Sequence, residues 1–201
     1  MQKDGLKENS PDLTVQFAGH AFRNPITVAS GTFGSGIEYS RYVDLNTLGA
    51  ITTKGVSDKP WEGNPPPRVT ETPSGMMNAI GLQNPGIDVF IERDLKFLEA
   101  YDVPVIVNVC GHSIEEYEAV TEKLADDSRV TMLEINVSCP NVKQGAIQFG
   151  TDPEMLKTVA ERCKAKAKDK PVIMKLTPNV TSIAEMAKAA EAAGANRTKP
   201  G

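Results

Sequence analysis

The sequence predicts an α/β fold in which parallel strands alternate with helices, and it favours a barrel over an open sheet. Short apolar, β-branched runs are each followed by a longer amphipathic segment, which is the pattern of βα units rather than of hairpins. Each run also carries a polar residue at or near its carboxyl end. In a (β/α)8 TIM barrel these ends converge on one face, whereas an open doubly wound sheet spreads them along a line.

Five runs predict the strands of the sheet. Each is short, apolar and bounded by turn-forming or polar residues, as buried parallel strands are. The predicted strands are ITVAS (26–30), AITTK (50–54), VIVNV (105–109), MLEINV (132–137) and VIMKL (172–176).

Helical periodicity follows each predicted strand and completes five βα units. The predicted helices are Glu38–Leu45, Gly86–Tyr101, Ile114–Ala125, Pro153–Lys168 and Ser182–Ala193. Ser113 and Glu116 form a capping box at the start of the third helix. Asp152 precedes a proline at the first helical position of the fourth.

Two further segments stand outside these units. LTVQF (13–17) and AFRNP (21–25) predict a small hairpin ahead of the first unit. Residues 55–86, between the second strand and its helix, form an insertion rich in Pro and Gly, and insertions of that length usually carry function or disorder. Its apolar side chains predict an ordered loop that covers another part of the molecule: Met76, Met77, Ile80 and Leu82.

Composition excludes several classes of function. The 22 basic and 26 acidic residues give a net charge of −4 without a basic run, which argues against nucleic-acid binding. The three cysteines are far apart, which argues against a disulfide framework, a structural zinc or an iron–sulfur cluster on this chain. The polar N-terminal residues and the absence of an 18-residue apolar run predict a soluble, cytoplasmic protein that does not enter a membrane. We expect a single domain over residues 1–201.

The polar residues at the predicted strand ends are candidate ligand contacts. They are Ser30, Thr53, Lys54, Asn108, Asn136 and Lys175. A Ser or Asn at any one strand end is more often a turn former or helix cap, but the coincidence on all five strands favours a common site. Lys54 and Lys175 lie in otherwise apolar strands, where a buried ammonium needs an anionic partner such as a ligand or an electron-rich cofactor.

Several familiar motifs are missing from the chain. It has neither G-x-G-x-x-G nor G-x-x-x-x-G-K-[ST], so a classical dinucleotide fold and a P-loop are not indicated. His20 and His112 have no metal-binding spacing with acidic residues, and we expect no metal. Strand ends rich in Asn suit a planar heterocycle that is read by hydrogen bonds.

Six motifs resemble one known family throughout residues 13–195. They are NPITVASGTFG (24–34), ITTKGV (51–56), NAIGLQNPG (78–86), VNVCG (107–111), EINVSCPN (134–141) and MKLTPN (174–179). The chain resembles the class 1 dihydroorotate dehydrogenases, and most of all the catalytic subunit of the NAD-linked class 1B enzymes. This resemblance implies a (β/α)8 barrel that oxidises dihydroorotate to orotate in pyrimidine biosynthesis, with FMN as the hydride acceptor.

The resemblance also implies roles for individual residues. The positions that fall on the family's FMN contacts are Ser30, Lys54, Gly55, Asn108, Asn136 and Lys175. Those that fall on its contacts with the pyrimidine and its carboxylate are Lys54, Asn78, Ala79, Ile80, Gly81, Leu82 and Asn136. Of the two lysines, we expect Lys175 to stabilise charge on the reduced flavin and Lys54 to span flavin and substrate.

Cys139 falls on the family's catalytic base. Because an unperturbed thiol has a pKa near 8.5, a cysteine has a useful thiolate fraction at working pH and can remove the C5 proton of dihydroorotate. Pro140 ends the strand and places Cys139 in a loop. We expect Cys110 and Cys163 to be small buried hydrophobes instead.

The implied partner is an electron-transfer subunit that holds FAD and a 2Fe-2S cluster and passes electrons to NAD. The complete enzyme is then expected to be a homodimer that assembles into a heterotetramer with this subunit. The alternatives are a fumarate-dependent class 1A enzyme, another FMN barrel oxidoreductase such as a dihydropyrimidine dehydrogenase or dihydrouridine synthase, and an inactive fragment.

The last residues do not predict another strand. After EAAGA (191–195) the sequence reads NRTKPG, which is polar and lacks a β-branched run. We therefore expect five of eight βα units, a truncated barrel, and no FMN phosphate site on this chain, since barrels usually bind phosphate after strands seven and eight. Such a chain would bind FMN poorly, be inactive alone and associate through its open edge.

Overall fold

A computed structural model of the chain describes residues 11–138 and 149–200. Its centre is a sheet of six parallel strands, and neighbouring strands follow one another in chain order apart from one inserted hairpin. The strands are β3 (Thr27–Val28), β4 (Ala50–Thr52), β7 (Val105–Val109), β8 (Met132–Asn136), β9 (Val172–Leu176) and β10 (Arg197–Pro200). The parallel pairing and chain order are those of a (β/α) barrel, as the sequence predicts.

Helical segments connect the strands on the outside of the sheet. They are α1 (Ser30–Phe33), α2 (Ile87–Val89), α3 (Lys96–Leu98), α4 (Ile114–Ala125), α5 (Pro153–Lys166) and α6 (Ile183–Ala192). A π-helical segment, Phe90–Leu95, joins α2 to α3. The predicted caps are confirmed: Ser113 Oγ accepts from the Glu116 amide, and Asp152 accepts from the amides of Glu154 and Met155.

Two antiparallel hairpins complete the fold. The predicted N-terminal hairpin forms from β1 (Val15–Phe17) and β2 (His20–Phe22). A second hairpin, β5 (Val69–Thr72) with β6 (Gly75–Asn78), lies in the long insertion, where the sequence predicts only an ordered loop. Met76 and Met77 are exposed on this hairpin, so they do not cover another part of the described chain.

The central strands β7, β8 and β9 are buried on both faces, and each face has its own core. The outer residues of β7, β8 and β9 pack against the helices in a large apolar cluster. The inner residues form a smaller cluster that the N-terminal hairpin closes with Phe22: Ala50, Ile106, Met132 and Ile173. Because side chains alternate along a strand, this division fixes which residues of each strand point into the barrel.

Two predictions about the elements are wrong. The predicted helix Glu38–Leu45 is replaced by the 3-10 turns Tyr39–Arg41 and Leu45–Thr47, since Asp44 caps the second turn through the Asn46 amide. A sixth strand, β10, forms although its sequence is polar, because parallel pairing with β9 uses backbone groups. The backbone amide of Asn196 donates to the Val172 carbonyl, and Oδ1 of Asn196 accepts from the Val172 amide. These two hydrogen bonds anchor the start of β10.

Candidate active site

Polar residues of four strands meet at the carboxyl edge of the parallel sheet. Lys54 and Gly55 follow β4, Asn108 lies in β7, Asn136 ends β8, and Lys175 lies in β9. Their strands are neighbours in the sheet. The sequence prediction that these side chains share one edge therefore agrees with the described geometry.

Two buried asparagines form the centre of this edge. The Nδ2 group of Asn136 donates to Oδ1 of Asn108 over 3.2 Å, and both side chains are buried. The Cys110 thiol also donates to Oδ1 of Asn108, over 3.3 Å. On its other side Asn108 donates from Nδ2 to Oε1 of Glu134 over 2.5 Å. Two amides, a thiol and a carboxylate thus form one connected polar network inside the barrel.

Gly55 lies against this network without a side chain. A Cβ at Gly55 would stand 2.6 Å from the Cys110 sulfur and 2.8 Å from Oδ1 of Asn108. The backbone on the next residue is held in place, because Val56 exchanges hydrogen bonds with Asn108 and Cys110. A residue with a Cβ would force Cys110 or Asn108 to move, so glycine lets this backbone pack directly against the network.

Lys54 lies at the mouth of a cavity of about 690 Å³ beside the network. The cavity is bordered by Gly55, Trp61, Gln83 and Arg93. Lys54 is half-buried, as a lysine is when its aliphatic stem packs against the protein. The lining also includes the carboxylates of Glu38, Glu62 and Asp94, so the attraction of Lys54 for an anionic group is local to its own side of the cavity.

Lys175 and Ser30 lie on either side of the centre. Lys175 is half-buried and is the register partner of Asn136, so it adjoins the asparagine pair on β9. Ser30 is buried at the start of α1, directly after β3, and β4 separates it from the asparagines. The described geometry joins Lys175 to the centre and leaves Ser30 at the edge of the site.

The predicted substrate segment, residues 78–82, returns from the second hairpin towards Gly55. Asn78 ends β6 and is exposed, and the Ala79 amide donates to the Arg68 carbonyl. Gly81 and Leu82 both have positive φ, which turns the chain back towards the sheet. A Cβ at Gly55 would stand 3.5 Å from Cδ1 of Leu82, so the segment reaches the site at Leu82.

The predicted base, Cys139, lies outside the described residues. The chain leading to it is described up to Ser138, whose amide and hydroxyl both donate to Oδ1 of Asn136 over 3.1 and 2.7 Å. The hydroxyl of Tyr117 donates to the Asn136 carbonyl over 2.8 Å. Asn136 is therefore held by both its backbone and its side chain.

Two members of the network are missing from the sequence prediction. Cys110 is buried, as expected, but its sulfur contacts the asparagines, whereas Cys163 is buried in α5 far along the chain. Burial raises the pKa of the Cys163 thiol to about 12, which suits an inert core residue. Glu134 could have been found by its spacing, since it lies two residues before Asn136 and so on the same face of the strand.

Neither a metal site nor a membrane span occurs in the part of the chain that the structure describes. Within residues 11–138 and 149–200, no three His, Cys, Asp or Glu side chains are grouped so that they could hold a metal ion. The helices over these residues are too short or too polar to cross a bilayer.

Comparison with known proteins gives three kinds of match: a family model, two relatives by sequence and a solved structure. A family model described as dihydroorotate dehydrogenase matches residues 12–199. The chain is 63% identical over 185 residues to a protein of Lachnoclostridium phytofermentans named dihydroorotate dehydrogenase B (NAD(+)), catalytic subunit, and 55% identical to the protein of that name from Alkaliphilus metalliredigens. Both alignments cover 92% of this chain and 61% of the relative, so the chain spans about three fifths of the length of these relatives.

A solved structure gives the third match. DHODH from Eimeria tenella, in complex with ferulenol, superposes with a TM-score of 0.78 and covers 96% of this chain and 60% of that one. The sequences are 18% identical, so this likeness shows a shared fold.

Proposed function

The chain belongs to the dihydroorotate dehydrogenase family, and we propose that it oxidises (S)-dihydroorotate to orotate in pyrimidine biosynthesis, as the catalytic subunit of an NAD-linked enzyme. The observation that carries the proposal is the buried Asn108–Asn136 pair beside Lys54 and Gly55 at the carboxyl edge of the barrel sheet. Amides and an ammonium group offer what a planar heterocycle with a carboxylate requires.

The residues present fit an FMN group at this edge. Asn108 and Asn136 offer fixed amide groups, and Gly55 packs without a side chain against Asn108 at this edge. Under the proposal, FMN is held by the predicted set: Ser30, Lys54, Gly55, Asn108, Asn136 and Lys175. When bound, FMN supplies the acceptor for the hydride that leaves the substrate. Lys175 adjoins this site with a positive charge, which favours negative charge nearby.

Substrate binding is assigned to Lys54, Asn136 and residues 78–82. The Lys54 ammonium would pair with the dihydroorotate carboxylate in the cavity that it borders, where water is partly excluded. Asn136 would orient the pyrimidine ring from a rigid strand. The turn at Gly81 and Leu82 brings the side chain of Leu82 beside Gly55.

Cys139 is proposed to accept the C5 proton of dihydroorotate. It lies outside the described residues, and the proposal rests on the family resemblance and on its place directly after Ser138. A thiolate close to Asn136 would stand at the end of a fixed strand, which limits the positions that the base can adopt.

The partner is inferred from the names of the relatives. A catalytic subunit of an NAD(+) enzyme implies another subunit, and we propose that it carries FAD and a 2Fe-2S cluster. Three scattered cysteines on this chain do not supply a cluster. A homodimer within a heterotetramer, in the reducing cytoplasm, completes the proposal.

The deciding experiment is a turnover assay on the complete enzyme purified with any copurifying subunit. We expect oxidation of dihydroorotate coupled to NAD reduction, and little turnover of dihydrouracil. Preference for dihydrouracil would reject the proposed substrate. Fumarate reduction by the catalytic subunit alone would reject the NAD-linked assignment in favour of a class 1A enzyme.

Replacement of the proposed base tests the chemistry directly. Cys139→Ser in the complete enzyme should retain bound flavin but lose about 10²–10⁴-fold of its kcat at pH 7, because a serine hydroxyl is a far weaker base. Cys163→Ala is the matched control, since that thiol is buried in a helix, and its kcat should be close to that of the unmodified enzyme. Cys139→Ser activity within threefold of this control would show that another group removes the proton.

A further inference from the structure

We propose that Glu134 is a positioning residue whose carboxylate fixes the direction in which the Asn108 and Asn136 amides present their donors and acceptors. Glu134 is not among the described residues that line the cavity beside Lys54, and its Oε1 accepts from Asn108, which in turn accepts from Asn136, so the proposed effect passes through the two asparagines. The binding consequences of this inference rest on the proposed function. The structural part of the inference, the orientation of the two amides, concerns only hydrogen bonds within this chain.

The carboxylate lies deep inside the barrel. Glu134 is 1% exposed and shares the inner face of β8 with Met132 and Asn136. It also lines an inner cavity of about 380 Å³ beneath the N-terminal hairpin, with Ile106 and Ile173 as apolar neighbours. A carboxylate is expensive to bury at such a place unless hydrogen bonds compensate. Its position across from Asn108 in the strand register supplies one.

The carboxyl group of Glu134 sets the orientation of the amide groups in the network. Oε1 of Glu134 acts as the hydrogen-bond acceptor, so Asn108 turns its Nδ2 group towards Glu134. Oδ1 of Asn108 then faces the opposite way, where it accepts from Cys110 and from Nδ2 of Asn136. An apolar residue at position 134 would leave the Asn108 amide free to adopt either orientation.

The orientation of the Asn108 amide also fixes the orientation of the Asn136 side-chain amide. Oδ1 of Asn108 accepts a hydrogen bond from Nδ2 of Asn136. The side-chain oxygen of Asn136, Oδ1, therefore faces Ser138, from which it accepts two hydrogen bonds. The chain of donors and acceptors therefore runs from Ser138 through Asn136 and Asn108 to Glu134. Reversal of either amide would place two acceptors or two donors opposite each other.

The test compares Glu134→Leu and Glu134→Gln in the complete protein. Leucine removes the acceptor, whereas glutamine keeps an acceptor but adds a donor that tolerates the reversed Asn108 amide. We expect Glu134→Leu to weaken binding of FMN and of orotate by at least about tenfold, because it leaves the buried Nδ2 group of Asn108 without this acceptor, and Glu134→Gln to weaken it less, because glutamine retains an acceptor. FMN binding is measured by quenching of flavin fluorescence, and orotate binding by the change in the flavin absorption spectrum.

Thr52→Val is the matched control. Thr52 is also buried, lines the same inner cavity as Glu134, and its hydroxyl has no hydrogen-bond partner within the described chain. This variant should bind both ligands as the unmodified protein does. A loss of binding by Thr52→Val equal to that of Glu134→Leu would show that any change of the interior disturbs the site, and it would overturn the proposal.

A spectroscopic readout separates positioning from stability. The side-chain amide NMR signals of Asn108 and Asn136 should shift or double in Glu134→Leu and Glu134→Gln of the flavin-free protein, and remain single in Thr52→Val. Unchanged amide signals together with ligand binding within threefold of the unmodified protein would overturn the proposal. If Glu134→Leu fails to fold, the same two measurements on Glu134→Gln decide by the same criteria.

The two proposals fail in different ways. Shifted amide signals with no binding of orotate by the unmodified protein would leave the network intact and reject the proposed substrate. Normal orotate binding with unaltered amide signals in both variants would reject the role of Glu134 and leave the proposed function standing.

Discussion

At the scale of the residue, Gly55 is the position where the site has least room. Cys110 and Asn108 leave no space for a Cβ, and both belong to the network that orders Asn136. The family motif includes this glycine, but the sequence itself carries no sign of the close approach from Cys110. That contact arises from the pairing of Val56 with β7, which is a tertiary feature.

Gly55→Ala should lower the free energy of unfolding by about 1–3 kcal/mol, because the added methyl group must displace a buried sulfur or amide. Urea unfolding monitored by circular dichroism measures this difference. Gly75→Ala is the control, since a Cβ there would meet its nearest neighbour, the Thr72 hydroxyl, at an ordinary 3.7 Å. Equal free energies of unfolding for the two variants would mean that Cys110 and Asn108 move to accommodate the methyl group without loss of stability.

Glu134 shows what a sequence can and cannot reveal about a site. The alternation along β8 predicts that Glu134 and Asn136 share a face, yet a glutamate in a strand more often faces solvent. Only burial of both faces of the sheet turns it into an interior residue. Asn108, Asn136 and Lys54 were predictable because each follows or ends an apolar run, whereas Cys110 and Glu134 depend on which strands are neighbours.

At the scale of the element, α5 begins at a cap that the sequence predicts. Asp152 accepts from two backbone amides, each over 2.9 Å. Pro153 occupies the first turn, where its missing N–H would have had no intrahelical acceptor. The helix also packs between its neighbours α4 and α6. A regular cap followed by apolar periodicity is local information, so this helix and α4 were predicted almost to the residue.

Asp152→Ala should cost about 1 kcal/mol of stability, in the range of other N-cap replacements. Asp152→Asn keeps an oxygen acceptor and should recover most of this loss. The free energy of unfolding of both variants, measured in urea at pH 7, checks the expectation. If alanine and asparagine destabilise the protein equally, the loss stems from the negative charge near the helix N-terminus rather than from the cap.

Other elements were predicted less well because tertiary contacts decide them. The turns at Tyr39–Arg41 and Leu45–Thr47 have helical periodicity but too few intrahelical bonds for a regular helix. β10 is polar, and its pairing with β9 depends on the Asn196 anchor rather than on hydrophobicity. Sequence periodicity does not register either effect.

At the scale of the whole molecule, the two ends of the sheet have different tasks. The carboxyl end holds the candidate site, and the amino end is tied together by charges between loops. Arg129, just before β8, forms a bidentate ion pair with Asp127. It also donates a hydrogen bond to Glu99, which follows α3. Lys170, just before β9, donates to the carbonyls of Asp127 and Val130.

Arg129→Met should destabilise the fold by about 0.5–1 kcal/mol at pH 7 and leave ligand binding unchanged, because the charge cluster is partly solvated and distant from the site. Hydrogen bonds from Arg129 hold the pKa of Asp127 below its ordinary value. This contribution is therefore present above the unfolded pKa of about 4 and is lost as the pH falls through the lowered folded value.

The measurement is urea unfolding of both proteins between pH 7 and pH 2.5. The difference in free energy should shrink below about pH 4 as Asp127 takes up a proton. Lys157→Met is the control, since Lys157 and Glu161 form only an exposed pair on one helix, 3.9 Å apart, and little change is expected. A difference for Arg129→Met that stays constant down to pH 2.5 would attribute the loss to packing of the arginine stem.

The alternation along β8 also protects the protein against a misaligned strand. A slip of one residue past β7 or β9 would turn Glu134 and Asn136 out among the apolar helices and bring Leu133 and Ile135 into the barrel. The misaligned strand would have to bury a carboxylate and an amide without partners, so it would be rejected while the sheet assembles. Glu134 and Asn136 thus also specify the register of β8 during folding.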